Sequence, residues 1–435
     1  MIIFMSKTKI NLHFNPLQIF AGGFCERSQM KTTYLVMVDA NGNHNKYYKM
    51  LPGIPSAEKF SVEYGRVGST PMKCVYSITD WNKKLKEKLY KGYTDQSELH
   101  DFIVTSVKGN GKYGTINDCQ VSQLVDMLMR YANQYLAATY TINDSAVTLS
   151  MIDAARKTLK ALDECAIRQS SVQTFNKHLL DLYQVLPRVM KNVNDMTAKS
   201  TGDFSMIVER ENETLDVMAS KVSQNVKTTN SSIDPSGKKT ILEVLGIELR
   251  PCNDDEILDI KKHLGAESAI KFKSAFKVTN LETEKHFMDY VKREALSKKD
   301  IHFYFHGSRN ENWWGILTQG LLINSHAIHS GSMFGHGLYF ALRARKSIGY
   351  SSLHGAYWTN GTSNTGFLAI YKVGYKKRMD LHNHTCDDNL LNASSMQKKG
   401  YDATFAHKGS MLLNDEVIVY TEQQCTIQYL IELAA

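Results

Sequence analysis

The chain changes character twice along its length, and this change limits its possible folds more than any other feature. Between residues 116 and 229 apolar residues recur at helical spacing and glycine is nearly absent, as is typical of a helical bundle. The segments on either side contain strand-like runs and turn residues. At 435 residues the chain is too long for one ordinary core. We therefore expect a multidomain α+β protein: a small β-rich domain, an all-α bundle and a mixed β/α domain.

Four helices account for the middle segment, and a polar stretch from Thr228 to Lys239 with Pro and Gly follows them as a linker. The apolar positions of the four helices are Val121, Leu124, Val125, Leu128 and Met129; Leu149, Ile152, Ala155, Leu159 and Leu162; Val172, Phe175, Leu179, Leu182 and Tyr183; and Ile207, Leu215, Met218 and Val222.

The front segment is predicted to be β with one helix. Strands are expected at residues 33–38 and 60–64, with a hairpin turn at Asn41–Gly42. A helix is expected from Asp80, its N-cap, to Tyr90. Nearly all of the net charge of +8 lies in this first quarter of the chain. A localised basic excess indicates either a polyanion partner or, equally, a solvated basic surface.

Composition excludes several classes of protein. No stretch is long and apolar enough to span a bilayer, and the N-terminus does not have the pattern of a signal peptide. The seven cysteines are odd in number and never form a C-x-x-C pair, which argues for a reducing compartment. His382, His384 and Cys386 are interpreted as a polar loop, because no fourth metal ligand is near. We expect an intracellular protein without a metal.

The candidate catalytic and binding residues lie in the last third of the chain. His306, Gly307 and Ser308 directly follow an apolar strand, and the glycine permits close approach to its backbone. Tyr339 and Tyr350 lie 11 residues apart and are able to sandwich a flat ring if they flank one pocket. Ser347, between them, is placed to donate to an amide on that ring.

Glu416 opens a run of β-branched residues, so its carboxylate is expected at the head of a buried strand. There it interacts strongly with developing positive charge.

These motifs resemble the H-Y-E signature of the poly(ADP-ribose) polymerase catalytic domain. They run in the order H-G-S, G-I-L-x-Q-G-L, M-F-G-x-G-x-Y-F-A, K-S-x-x-Y and N-x-E-x-I-V-Y. Residues 64–68 and the helix of Trp81 look like a WGR domain, with Tyr64 where such domains usually have Trp. The helical segment, with L-Y-Q-V-L-P at 182–187, looks like the regulatory domain of this family. The implied domains are an N-terminal extension (1–31), a WGR-like nucleic-acid-sensing domain (32–115), a helical regulatory domain (116–229) and an ADP-ribosyltransferase domain (230–435).

The resemblance implies NAD+ as the substrate and assigns roles to single residues. His306 bonds a ribose hydroxyl of the adenosine half, and Ser308 lies towards that ribose. Gly307 and Ser347 hold the nicotinamide amide. The remaining assignments are Tyr339 and Tyr350 stacked on the nicotinamide, Glu416 as the catalytic carboxylate, Lys346 lining the active site, Met333 on the acceptor side, Asp216 facing the adenosine site in the inhibited state, and Tyr64 and Arg66 at a DNA end.

The expected function is poly(ADP-ribosyl) transfer from NAD+ to protein acceptors, the chain itself included, activated by DNA ends or nicks. Two alternatives stay open on the sequence. One is a mono-ADP-ribosyltransferase that acts on proteins or DNA ends. The other is a catalytically inactive DNA-binding scaffold, which the presence of His306, Tyr339 and Glu416 disfavours.

Overall fold

The computed structural model describes residues 31–53, 58–97, 113–142, 147–230, 239–323, 333–409 and 412–435. The expected N-terminal extension, apart from Lys31, and most of the expected linker lie outside these ranges. Among the described residues, no helix has the length and apolar character needed to cross a membrane.

The front segment folds as an antiparallel sheet whose five described strands are ordered β4-β3-β2-β1-β5, and a helix from Trp81 to Tyr90 accompanies it. Asp80 occupies the N-cap position of that helix, as predicted, but its side chain makes no capping hydrogen bond. A preceding 3₁₀ turn gives Asp80 helical φ and ψ angles, so its carboxylate does not reach the first N–H groups. The elements are β1 (Thr33–Asp39), β2 (His44–Leu51), β3 (Lys59–Arg66), β4 (Met72–Ser77), α1 (Trp81–Tyr90) and β5 (Thr94–Asp95).

The middle segment contains four long helices where the periodicity places them. The side chains of Asp118, Thr148 and Ser171 cap the first three and so satisfy their leading N–H groups. Most of the expected apolar positions are buried, but Leu149 is exposed because it occupies the first helical position, before the buried stripe begins. The helices are α2 (Cys119–Thr139), α3 (Leu149–Ile167), α4 (Val172–Val185) and α5 (Phe204–Asn230).

The last segment is built on a sheet whose nine described strands are ordered β11-β12-β13-β9-β8-β10-β14-β7-β6. Neighbouring strands pair antiparallel except β11 with β12. The strands are β6 (Ile247–Pro251), β7 (Phe272–Asn280), β8 (Ile301–Gly307), β9 (Leu338–Ala341), β10 (Thr365–Gly374), β11 (Arg378–Leu381), β12 (Ala403–Ala406), β13 (Glu416–Val419) and β14 (Cys425–Ala434). The helices are α6 (Ile241–Leu245), α7 (Asp254–Leu264), α8 (Ala266–Ala269), α9 (Leu281–Arg293), α10 (Trp313–Gln319), α11 (Ala344–Ile348) and α12 (Ala393–Lys399).

Helix α5 joins the bundle to the large sheet. The indole N–H of Trp314 on α10 donates to Gln224 Oε1 of α5 at 2.9 Å. A Cβ at Gly315 would lie 3.0 Å from the Ser220 hydroxyl, so the two helices are in close contact. One apolar core therefore continues from the bundle into the sheet, and α5 is held at a fixed distance from α10.

The small sheet contacts the bundle at the loop that follows α4. Arg66, at the end of β3, donates to the carbonyls of Met190 at 3.3 Å and Lys191 at 2.9 Å. Asn45 of β2 donates to the carbonyl of Arg188 at 3.2 Å. The front sheet is thus bonded to the backbone of residues 188–191.

A buried ion pair lies just inside this junction. Arg188 and Glu211 pair with both side chains 2% exposed. The guanidinium also lies 4.1 Å from the centre of the Tyr140 ring, and the Tyr183 hydroxyl donates to Glu211 at 3.1 Å. Removing one member of such a pair leaves an uncompensated buried charge.

We expect Arg188→Met to lower the free energy of unfolding by about 3–5 kcal/mol, because the buried Glu211 then loses its buried partner and keeps only the partly exposed Arg210 guanidinium, 3.1 Å away. The double variant Arg188→Met/Glu211→Leu should recover most of that loss. Urea unfolding measures both.

The control is Arg168→Met, which breaks the exposed pair with Glu164 and should cost less than about 1 kcal/mol. Equal losses for Arg168→Met and Arg188→Met would contradict the account of the buried pair.

Candidate active site

One cleft, with a volume of about 290 Å³, gathers most of the residues that the sequence singled out. Its walls come from the end of β8, helices α10 and α11, strand β9, the start of β13 and one face of α5. The residues that line it include Glu209, Glu213, Asp216, His306, Gly307, Ser308, Tyr339, Lys346, Ser347, Tyr350 and Glu416.

His306 is held by the neighbouring strand. Its Nδ1 lies 3.1 Å from the carbonyl oxygen of Tyr339, so Nδ1–H donates and Nε2 is left as an acceptor. Burial lowers the pKa of His306, and only the bond to that carbonyl acts in the opposite direction. The residue therefore lines the cleft as a neutral imidazole whose Nε2 is able to accept a hydrogen bond from a hydroxyl.

Gly307 is the point at which β8 and α11 come closest. A Cβ at this position would lie 1.9 Å from the carbonyl oxygen of Ser347, so no other residue fits without moving the helix. Ser347 itself is buried. The next residue, Ser308, accepts a bond from Asn312 at 2.9 Å and also lines the cleft. The H-G-S motif therefore provides a narrow slot with backbone and hydroxyl groups on its walls.

Tyr339 and Tyr350 both reach the cleft. The Tyr339 hydroxyl donates to the carbonyl of Gly335 at 2.9 Å and accepts from the N–H of Phe334 at 3.0 Å, which fixes the ring. Burial raises the pKa of Tyr350, so its phenol stays neutral.

Met333, expected on the acceptor side, packs with the apolar cluster around Phe334.

Glu416 is the buried head of β13 and pairs with Lys346 of α11. Strands β9 and β12 flank it, with Ala341 and Ala406 as its register partners. Burial lowers the pKa of Lys346 to about 8, while the Asp415 carboxylate acts in the opposite direction. The carboxylate is thus fixed in a strand among small neighbours, next to a cation whose pKa burial lowers.

Helix α5 contributes an acidic wall opposite these residues. Asp216 lines the cleft and pairs with Arg156 of α3. Sequence reasoning missed Glu209 and Glu213, which line it too. The three carboxylates follow a spacing of four and three residues, which places them on one helical face, and this spacing was the signal available in the sequence.

Glu213 is the member of the acidic wall whose ionisation is shifted most clearly. Partial burial of a side chain that is 42% exposed, together with the neighbouring Glu209, raises the pKa of Glu213 to about 7, and Arg309 opposes this. The Nε of Arg309, directly after the H-G-S motif, lies 4.0 Å from the Glu213 carboxylate. The charge of the wall therefore changes near neutral pH.

Tyr64 and Arg66 lie outside the cleft, at the small sheet. The Tyr64 ring packs against Tyr48 with centroids 5.9 Å apart, and its hydroxyl accepts from the Cys74 thiol at 3.8 Å. Arg66 is bonded to the loop after α4. Arg66 is thus at the junction with the bundle, whereas Tyr64 packs within the small sheet.

The histidine-rich loop forms ring and amide contacts. His382 stacks on His407 with centroids 4.2 Å apart, and His384 is bonded to Asn389 at 2.9 Å. No cluster of three or more metal-ligating side chains occurs within the described ranges.

Comparison with known proteins gives the class of this site. Residues 254–435 match the poly(ADP-ribose) polymerase catalytic domain. A putative poly(ADP-ribose) polymerase-like protein, 100L, of invertebrate iridescent virus 6 is 32% identical over 167 residues, which are 38% of this chain and 86% of the viral one. The uncharacterized protein 101L of the same virus is 30% identical over 196 residues, or 45% and 80% of the two chains. Human poly(ADP-ribose) polymerase 2 is 21% identical over 408 residues, which are 80% of this chain and 66% of the human protein.

The chain belongs to the poly(ADP-ribose) polymerase family. It is an NAD+ ADP-ribosyltransferase.

We expect Gly307→Ala to lower kcat/KM for NAD+ by about 10²-fold, because the new Cβ displaces the Ser347 backbone and widens the slot by about an ångström. Steady-state release of nicotinamide measures this loss.

Gly202→Ala is the matched control, since a Cβ there meets only the Ser200 hydroxyl at an ordinary 3.4 Å. Near-equal rates for the two variants would show that the slot does not need a glycine.

Proposed function

We propose that this chain is a poly(ADP-ribosyl)transferase that DNA breaks activate. It transfers ADP-ribose from NAD+ to protein acceptors, the chain itself included, and to growing ADP-ribose chains, and it releases nicotinamide. It acts inside the cell, in the compartment that contains the DNA. The observation that carries the proposal is the convergence of His306, Tyr339, Tyr350, Lys346 and Glu416 on one cleft.

NAD+ is held by both of its halves. The nicotinamide ring lies between Tyr339 and Tyr350, and its amide bonds the Gly307 backbone and the Ser347 hydroxyl. The Nε2 of His306 accepts from a ribose hydroxyl of the adenosine half, with Ser308 on the same side. This assignment is supported by the neutral state of the imidazole and by the narrow slot at Gly307.

Bond cleavage needs little acid catalysis, because the nicotinamide of NAD+ is already cationic and leaves as a neutral ring. Positive charge develops on the ribose in the transition state. Glu416 accepts a hydrogen bond from the 2′-hydroxyl of that ribose and stabilises the charge. One carboxylate is sufficient here, whereas glycoside hydrolases typically use two.

Glu416 also serves chain elongation. The same carboxylate orients the hydroxyl of an acceptor ribose, with Met333 on the acceptor side. Lys346, which pairs with Glu416 before substrate enters, lines this region. A carboxylate at this position favours polymer synthesis over single transfer.

We expect Glu416→Gln to abolish the polymer ladder and to reduce transfer by about 10²–10³-fold, because the neutral amide no longer stabilises the ribose cation. Labelled NAD+ with and without nicked or blunt DNA, resolved on a gel, measures product length and DNA stimulation together.

The exposed carboxylate Glu248 of β6 provides the control variant Glu248→Gln, which should behave as wild type. Single-unit products from the wild type would support the mono-ADP-ribosyltransferase alternative, and equal rates with and without DNA would refute activation by breaks.

DNA breaks act through the small basic sheet. Arg66 connects the small sheet to the bundle, because its guanidinium donates to the Met190 and Lys191 carbonyls. A DNA phosphate is a stronger partner for a guanidinium than a neutral carbonyl is, so binding draws Arg66 away and loosens the junction with the bundle. The exposed Lys83 and Lys86 of α1 attract the polyanion. The alignment with human poly(ADP-ribose) polymerase 2 covers 80% of this chain, well beyond residues 254–435, and supports these domain assignments.

The bundle restrains the site through charge. Glu209, Glu213 and Asp216 line the cleft that receives the dianionic pyrophosphate of NAD+, and like charges at close range repel. Movement of α5 away from the cleft removes this repulsion. The helical segment 116–229 thus acts as a regulatory domain.

The pKa of Glu213 gives this restraint a pH dependence. Below pH 7 the side chain is largely protonated and neutral, and as pH rises through about 7 it becomes a carboxylate. We therefore expect KM for NAD+ in the absence of DNA to rise between pH 6 and pH 8. Glu213→Gln should remove most of this rise and lower KM at pH 8 by about three- to tenfold, as expected for one nearby like charge.

Glu164→Gln, on the exposed side of α3, is the control. A KM profile for Glu213→Gln that follows the wild type at both pH values would show that this carboxylate does not restrain binding.

A further inference from the structure

The segment after Tyr350 is a closed loop held by its own backbone. The N–H of His354 donates to the carbonyl of Ser363 at 2.7 Å, and the N–H of Ser363 donates to the carbonyl of Ser352 at 2.9 Å. The hydroxyl of Thr359 donates to the carbonyl of Ser351. The loop therefore has a defined shape between α11 and β10.

Trp358, in this loop, contacts the C-terminal end of α11. Its backbone N–H donates to the carbonyl of Gly349 at 2.9 Å. A Cβ at Gly349 would lie 3.1 Å from Cδ1 of the indole, so the ring rests directly on the glycine. The indole stacks on Tyr350, with centroids 5.9 Å apart and planes 20° apart. Tyr357 meets the indole edge-on at 4.7 Å.

Of the two stacked rings, Tyr350 lines the cleft and Trp358 does not. The indole supports it from the solvent side and is 54% exposed. Offset stacking of aromatic rings restricts their rotation and adds to the energy of burial alone. The phenol that faces the cleft is thus held by a ring that does not itself enter it.

We infer that Trp358 is a positioning residue for the nicotinamide half of NAD+. It fixes the Tyr350 ring parallel to the bound nicotinamide, so that the indole, the phenol and the nicotinamide stack one on the next. The inference rests on the proposed role of Tyr350 in the binding of that ring. Because the stack forms before the bond breaks and persists while it breaks, Trp358 lowers KM and leaves kcat nearly unchanged.

We expect Trp358→Ala to raise KM for NAD+ and Kd for 3-aminobenzamide by about three- to tenfold, which corresponds to about 0.7–1.4 kcal/mol. The kcat value at saturating NAD+ should stay within about twofold. Trp358→Phe keeps a flat ring and should restore both constants to within about twofold of wild type. Tyr90→Ala removes a ring that is 94% exposed on α1, and it is the control for the loss of a surface aromatic residue.

Fluorescence supplies a second readout that loss of stability would not produce. The other three tryptophans, Trp81, Trp313 and Trp314, are at most 6% exposed, so iodide quenches chiefly Trp358. Binding of 3-aminobenzamide should change the iodide-accessible emission in the wild type, and Trp358→Phe should lose that change.

The possible failures are distinguishable. A wild type that binds neither 3-aminobenzamide nor NAD+ would refute the proposed function. A wild type that binds both, with Trp358→Ala giving the same KM and Kd, would overturn only the role of Trp358. A fall in kcat with KM unchanged would also overturn it.

Discussion

The contact between Gly307 and the Ser347 carbonyl sets the dimensions of the active site. It brings the end of β8 against α11 at a distance that only a glycine permits. Helix α11 also carries Lys346 and leads into Tyr350. The contact at Gly307 therefore fixes the position of His306 on β8 relative to Lys346 and Tyr350. The position of Glu416 is fixed independently, by strand pairing on both of its sides. The site is therefore assembled from rigid elements.

Helix α5 has two roles that conflict. On one face it is core: Glu211 closes the buried pair with Arg188, and Gln224 bonds the indole of Trp314. On another face Glu213 and its neighbours present carboxylates to the cleft. A helix packed so firmly does not move at small cost, so its displacement must be driven from outside. The junction at Arg66 is where the small sheet is bonded to the loop beside that core.

Several features of the fold could be predicted from sequence because they depend on local physics. Helical spacing located the four long helices, and β-branched runs located β1 and β13. Leu149, expected in the buried stripe, is exposed because it is the first residue of its helix, where position along the helix no longer decides burial. The partners of Arg66 were not predictable, since residues 66 and 190 meet only through domain packing.

The sequence by itself determined the chemistry of this protein: which side chains are available, in which order, and on which elements they lie. His306, Tyr339 and Glu416 could be singled out because their motifs, taken together and in order, resemble the H-Y-E signature. Only the tertiary structure decided what surrounds them. The acidic wall of α5 and the stacking of Trp358 on Tyr350 depend on contacts between separate elements. Such contacts follow from how the elements pack, and spacing along one strand or helix does not specify that packing.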